Sequence, residues 1–290
     1  MMRVLGVVSL VCAASLGAGQ AADFVLMADL RPTVNSGVDG NEFRWFDHNA
    51  QSSVIGIRLL LVDGSRVKFT QRLARLPGNG DPGYVDEAYI ERRGVWRVGK
   101  QWLPFGRQML VRESMNGIRF DTTLVFGNDA SVVAFDNGEG RSRGVGFRAG
   151  SGIGFSAVSG NHLAIGPATL TEIEGIRGGM GRGAGYRLIL GGDAAFRWGG
   201  NQWQAEHVVF LDPERAGDHS FAASQVGFTI GPPVSNWAIS LTWAKRWDQD
   251  TDHVGMAIEA PSEGPVTYRG YLTIEGGVTF RGGFGITLRF

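Results

Sequence analysis

The chain has 290 residues, of which 45 are glycine, 28 are basic, 28 are acidic and one is cysteine. Balanced charge removes the basic footprint of a nucleic-acid binder, so no nucleic-acid partner is expected. Glycine at about twice its usual ~7% share argues against long helices, and a single cysteine excludes a disulfide scaffold.

The first residues read as a targeting segment. Met1-Met2-Arg3 is a short basic start, Leu5 to Leu16 is apolar, and Gly19-Gln20-Ala21 offers small residues where a signal peptidase reads. A signal peptide over residues 1–21 is therefore expected to be removed, leaving 22–290 as one domain. Cys12 leaves with it; it follows Leu10-Val11 and no small residue, so a lipid-anchored start is not expected. Downstream no run of eighteen apolar residues occurs, which excludes a transmembrane helix but not spanning strands, whose apolar residues alternate with polar ones.

Period two then dominates. Phe24, Leu26, Ala28 and Leu30 alternate with Val25, Met27, Asp29 and Arg31. A polar stretch through Asp47 and His48 follows, and then Ile55, Ile57, Leu59 and Leu61 alternate with Gly56, Arg58, Leu60 and Val62. Asp63-Gly64 is a two-residue hairpin signal. Beyond it Val67, Phe69 and Leu73 oppose Arg66, Lys68, Thr70 and Arg72, and residues 77–83 are loop by composition. Tyr84 to Arg92 and Val95 to Leu103 are joined at Arg93-Gly94 and followed by Pro104-Phe105-Gly106. Further strands are predicted at Ile118 to Phe126, Val132 to Asp136, Val145 to Arg148 and Ile153 to Val158. Asn161 to Ala184 reads as the largest loop. Strands resume at Tyr186 to Leu190, Ala194 to Trp198, Trp203 to Leu211, Phe221 to Ile230, Trp237 to Trp247, Val254 to Glu259 and Val266 to Ile274.

The chain ends in mid-strand. Val278, Phe280, Phe284, Ile286, Leu288 and Phe290 share one parity, while Thr279, Arg281, Gly283, Gly285, Thr287 and Arg289 take the other. Bulky apolar groups facing one way and Arg, Thr and Gly the other describe a strand between an oily phase and a wet one. An apolar terminus of this kind must be paired to its last residue.

This terminal strand resembles the closing strand of the bacterial outer-membrane porins. The stretch from Tyr84 to Gly106 is similar to the porin segment in which an Ala-Tyr strand turns at glycine into a Gly-Lys-Gln strand and breaks at Pro-Phe-Gly. The resemblance implies an all-β, transmembrane, antiparallel up-and-down barrel in the bacterial outer membrane. About seventeen candidate segments, and the even count of single-chain barrels, give about 16 strands within a range of roughly 14 to 18. It also implies that Phe290 is the signal read by the barrel-assembly machinery. A constriction loop is implied over Gly106 to Gly117, with Arg107, Arg112 and Glu113 as candidates, and a homotrimer is an admitted state. Trp96, Trp102, Trp198, Trp203, Trp237, Trp243, Trp247 and Tyr268 share the apolar parity and fit the aromatic girdles of such barrels.

Turning the apolar parity to lipid leaves an inward set. Arg58, Arg66, Lys68 and Arg72 would join Arg269, Arg281 and Arg289 along the wall where the barrel closes. Their nearest inward acids would be Asp29 and Glu275, with Glu87, Glu91 and Asp121 several strands away. Glu87, Glu91, Arg97, Gln101, Arg119 and Asp121 would surround the constriction loop. The expected function is a passive channel for small hydrophilic solutes with a weak anion preference. The alternatives are a barrel enzyme or a closed structural barrel and, further off, a secreted β-sandwich. His48, His162, His207, His219 and His253 are scattered and none joins a serine in a hydrolase motif, so no catalytic residue and no cofactor is expected. Asp248, Asp250, Asp252 and Glu259 have calcium-loop spacing, but His253 stands where that loop requires glycine; a solvated turn and no metal are expected.

Overall fold

The computed structural model describes residues 21–37, 40–45, 52–74, 84–111, 114–124, 128–138, 142–161, 186–211, 220–230, 238–247, 252–261, 265–275 and 279–289. They hold eighteen strand segments. The first half runs β1 (Ala21–Leu30), β2 (Thr33–Gly37), β3 (Gly40–Arg44), β4 (Val54–Leu61), β5 (Arg66–Arg72), β6 (Val85–Arg92), β7 (Trp96–Trp102), β8 (Ser114–Thr123) and β9 (Asp129–Asp136). The second half runs β10 (Arg143–Ala149), β11 (Ile153–Asn161), β12 (Tyr186–Trp198), β13 (Asn201–Leu211), β14 (Phe221–Ile230), β15 (Ala238–Arg246), β16 (Asp252–Pro261), β17 (Val266–Glu275) and β18 (Thr279–Arg289).

Eighteen segments make sixteen staves, because two pairs lie end to end. β1 and β2 run along β18 in one unbroken register, Asp29 facing Arg289 and Thr33 facing Gly285. Only Pro32, which has no N–H to give, interrupts them, and its carbonyl still accepts the Ile286 N–H at 3.1 Å. β4 pairs with β1 and β3 with β2 along the other edge, joined where the Ser53 N–H donates to the Trp45 carbonyl at 2.7 Å. From β4 to β18 each strand is antiparallel to the next, and β18 closes on β1 and β2. The sheet is an all-β up-and-down barrel with no free edge.

The outer parity is apolar and uncovered. Leu26 is 68% exposed, Phe120 60%, Ile153 82% and Trp198 80%, far more than a water-facing surface tolerates as a continuous band. It is a face for lipid. Short turns at 62–65, 93–95, 150–152 and 199–200 lie at one rim, and the connections at 103–113 and 162–185 lie at the other. Gly64 and Gly94 carry the positive φ angles (81° and 73°) that the two hairpins need. In the first of them the Ser65 N–H and hydroxyl donate to the Asp63 carboxylate at 2.9 and 3.0 Å, which holds that carboxyl below its usual range. Trp96, Trp198, Trp203 and Tyr268 sit near the short-turn rim, Trp102, Trp243 and Trp247 towards the other, and Trp45 at the junction of β3 and β4. Trp203 lies between Phe196 and Phe228, with centroids 6.2 and 4.2 Å away. Trp237 lies outside the described residues.

Two segments depart from the sequence expectation. The polar stretch after Arg31 contains the β2–β3 hairpin, whose large apolar members, Val34 and Phe43, are too few to set a period. Tyr186–Leu190 and Ala194–Trp198 are halves of β12, joined through Gly191 and Gly192. Glycine at this point is a matter of space: a Cβ on Gly191 would stand 2.6 Å from the Phe105 ring inside the barrel. The buried apolar cluster is also inside. Met115, Val133, Phe135, Val158, Ile189, Val208, Phe210, Phe221 and Ala223 line the inner wall from β8 to β14 and pack with Leu103, Phe105, Leu110 and Val111 of the β7–β8 connection.

Because the outer parity meets lipid, Leu241→Arg should destabilise the barrel by about 2–4 kcal/mol in vesicles if it lies near the bilayer midplane. Its inner neighbour, Thr242→Ser, should leave the urea midpoint within about 0.5 kcal/mol of the parent. Equal shifts for the two would mean that the facing is wrong.

Candidate functional site: the inner loop and the lumen wall

The chain leaves the barrel wall at Leu103 and turns inward. The Phe105 N–H donates to the Leu103 carbonyl at 2.9 Å and the Gln108 N–H to the Phe105 carbonyl at 3.2 Å, so the Pro-Phe-Gly break winds the backbone into a compact turn. Gly106 has φ +45°, and a Cβ there would lie 2.6 Å from the Glu206 carboxyl carbon, so a larger residue would be strained and would displace that carboxylate. Gln108 also has positive φ, 58°, a conformation costing of order 1–3 kcal/mol that surrounding contacts must hold.

Those contacts come from β10 to β13. The Glu206 carboxylate accepts the N–H groups of Arg107 and Met109, both at 3.0 Å. Ser156 accepts the Gly106 N–H at 2.9 Å, and Arg148 Nε donates to the Gly106 carbonyl at 2.9 Å. Arg107 and Arg148 each approach Asp193 to 2.8 Å, and Arg107 also donates to the carbonyls of Ser151 and Gly152. Beneath this polar clasp Phe105 and Leu110 are fully buried. Each such side chain contributes about 1.5–3 kcal/mol by leaving water, so the loop is a fixed part of the interior rather than a pendant segment. The implied loop is thus present, but shorter than expected: Met115, Asn116 and Gly117 belong to β8. Arg112 and Glu113 lie outside the described residues.

On the wall from β4 to β8 the charges form a ladder. Lys68 is ion-paired with Glu87. Glu91 takes Arg97 at 2.7 Å and Arg66 at 3.8 Å, and Arg97 lies over the Tyr89 ring at 4.2 Å. Arg119 pairs with Asp121 at 2.6 Å, and Ser131 bridges the two. Arg58 faces Lys68 across the ladder and is exposed, with no ion partner among the described residues. Five cations thus meet three carboxylates, a net +2. The paired cations keep 18–27% of their side-chain surface in water.

Three expectations need correction. Arg72 does not line the lumen: its side chain has no exposed surface, pairs with Asp86 at 2.8 Å and lies over Trp102 at 5.2 Å. β5 keeps its register with β4 as far as Val54–Arg72, but its register with β6 slips by one between Thr70 and Gln71, and the extra residue of β6 there is Asp86, the partner of Arg72. Glu87 and Glu91 are not several strands from the arginines, because β5 is hydrogen-bonded directly to β6. The closing seam is not an uncompensated cationic wall either: Arg289 and Arg31 share Asp29 at 3.2 and 2.8 Å, and Arg269 pairs with Glu259. Arg281 faces Thr273 in the ladder, and its side chain, like the whole of Phe290, lies outside the described residues.

Of the calcium-like cluster, Asp252 pairs with Lys245 at 3.2 Å and Glu259 with Arg269, while Asp248 and Asp250 lie outside the described residues. Among the described residues no group of three metal-ligating side chains occurs. His207 Nδ1 is 2.7 Å from Ser224 Oγ, but both take the outer parity, and the third group on that hydroxyl is the Trp247 indole N–H at 2.8 Å. Nothing there orients a base. Sequence reasoning missed Ser156, Asp193 and Glu206. Their inward parity was legible; that a loop fifty and more residues earlier would close on them was not.

Removing the clasp tests its role. Glu206→Ala leaves two buried N–H groups without an acceptor, at about 1–3 kcal/mol each. Trypsin should then cut after Arg107 in the folded barrel, where the parent resists.

No family model matches the chain, and no curated protein does. Solved barrels do. The in-vitro folded, trimer form of OmpT, an outer membrane protein of Vibrio cholerae, matches with TM-score 0.61 at 10% identity over 93% of this chain and 100% of that one. The anion-selective porin of Comamonas acidovorans gives 0.62 at 12% over 92% and 99%. A variant of the Rh. blastica porin gives 0.55 at 10% over 92% and 100%. A closed sixteen-stave barrel with an inward loop after its fifth stave, superposing on these proteins over almost its whole length, has the porin-like fold of bacterial outer-membrane β-barrels.

Proposed function

We propose that the protein is a passive channel of the bacterial outer membrane that passes small hydrophilic solutes with a weak preference for anions. The observation that carries this reading is the division of the lumen into a dry and a wet sector. The inner wall from β8 to β14 carries the loop packed on its apolar side chains, with a cavity left on the short-turn side, whereas the β4–β8 wall keeps its charged side chains part-exposed and carries a net +2. A closed structural barrel would fill both sectors alike. An enzyme would need a nucleophile and base in the wet sector, and among the described residues that sector offers paired arginines and carboxylates. The anion-selective neighbour from Comamonas acidovorans supports the same direction of preference. Removal of residues 1–21, insertion signalled by Phe290, and assembly as a homotrimer in lipid belong to the proposal. The trimer form of the Vibrio protein supports the last of these.

Conductance of the purified protein in a planar bilayer is the direct test. At low salt, reversal potentials across a salt gradient should show a weak anion preference that fades as the Debye length shrinks below about 8 Å. Arg58→Glu should bring the wall to neutrality, and Arg58→Glu with Arg66→Glu should invert the preference. A cation preference in the unmodified protein, or no conductance, would overturn the reading.

A further inference from the structure

Between the inner loop and the wall near the short-turn rim lies a partly open cavity of 350 Å³, lined by Arg107, Gln108, Arg119, Asp129, Ser131 and Arg148 together with Pro104 to Gly106. Its size is at the lower end of the ~300–1,000 Å³ range of small-molecule sites. Its charges are arranged unevenly. Arg107 and Arg148 line the cavity, while the carboxylates beside them, Asp193 and Glu206, are buried behind the lining, so this end presents guanidinium N–H groups to the space. Arg119 is balanced by Asp121 and held by Ser131. Asp129 stands two residues beyond Ser131, on the same parity, past the Ala130–Ala149 pair. Its carbonyl accepts the Gly150 N–H at 2.9 Å, but among the described residues no side chain partners its carboxylate. The strained Gln108 backbone holds that residue's amide in the same lining.

A simple anion would meet the guanidinium end favourably and Asp129 unfavourably, and a simple cation the reverse. A molecule carrying both charges satisfies both ends. We propose that this cavity binds a small zwitterion, an α-amino acid or dipeptide, with its carboxylate on Arg107 and Arg148 and its ammonium on Asp129. Arg107 Nη1 has no protein partner among the described residues, and Nη1 and Nη2 of Arg148 each keep a second N–H beyond the one given to Gly150 or Asp193, so charged donors remain for a carboxylate. The inference rests on the channel reading only in that water must reach the cavity. Its position on the short-turn side of the loop makes it a vestibule where such a solute pauses before or after the constriction.

The probe is glycylglycine, with N-acetylglycine, which lacks the ammonium, and glycinamide, which lacks the carboxylate, as controls that leave the protein untouched. Binding is read by calorimetry on the full detergent-solubilised barrel and by interruptions of single-channel current. Glycylglycine should bind, and each control should be weaker by roughly tenfold or more, the loss of one charge-assisted contact. Asp129→Asn should weaken glycylglycine about tenfold and leave N-acetylglycine unchanged or tighter. N-acetylglycine binding as well as the dipeptide, an Asp129→Asn variant without effect, or a conducting protein that responds to none of the three would overturn the subsite. A barrel that binds glycylglycine without conducting would keep the subsite and overturn the channel.

Discussion

Everything in this molecule depends on one constraint: a backbone in lipid has no water to hydrogen-bond, so every N–H and C=O must find its partner in the chain. A sheet meets that demand only by closing on itself, and here the closure is made by β18 lying along β1 and β2. Closure settles two further matters at once. It divides each strand into a face for lipid and a face for the interior, and it gives the interior a fixed volume that side chains and loops must share.

That volume is shared unequally. Small residues on the inner wall, Gly191 above all, let the Phe105 ring lie against the strand, while Ser156, Asp193 and Glu206 supply the polar contacts that the incoming backbone needs. The apolar contacts give the loop its adhesion, and the Glu206 and Arg148 hydrogen bonds give it its register, since each meets one particular backbone group. The remaining water is pressed towards the β4–β8 wall, where charge is nearly but not wholly balanced. The charged β4–β8 wall and the loop anchor therefore occupy opposite sides of one interior.

Much of the fold was legible in the chain because a period of two with one oily face is its own evidence. Phe24, Leu26, Ile118 and Phe284 announce their facing without any tertiary information. The hairpins at Asp63-Gly64 and Arg93-Gly94 and the break at Pro104-Phe105-Gly106 are local chemistry, and they too could be read. The site was less legible. Parity says that Arg66 and Arg72 are alike, but an extra residue in β6, Asp86, meets Arg72 and buries it, while Arg66 stays part-exposed. Parity also gives no partner, so Lys68 and Arg66 read as free charges when the acids that hold them lie on the adjacent strand. The loop anchors were hidden for a related reason. A contact between Arg107 and Glu206 spans 99 residues, and no local pattern encodes it.

The closure has a further character. β17 and β18 are joined by ten facing pairs, from Val266–Leu288 to Glu275–Thr279. Among the described residues six cross the seam, two from β1 and four from β2, with the proline between them. That is no fewer than between β5 and β6, so the seam is set apart by sequence distance and not by its number of rungs. It joins Asp29 to Arg289, 260 positions away, where every other line joins staves that follow one another in the chain. A line of that kind closes last, because nearly the whole chain must be looped back before its rungs can form. The seam is therefore the fastening of a bracelet, made when the rest of the ring is in place, while the loop and its clasp sit on the far side of the tube.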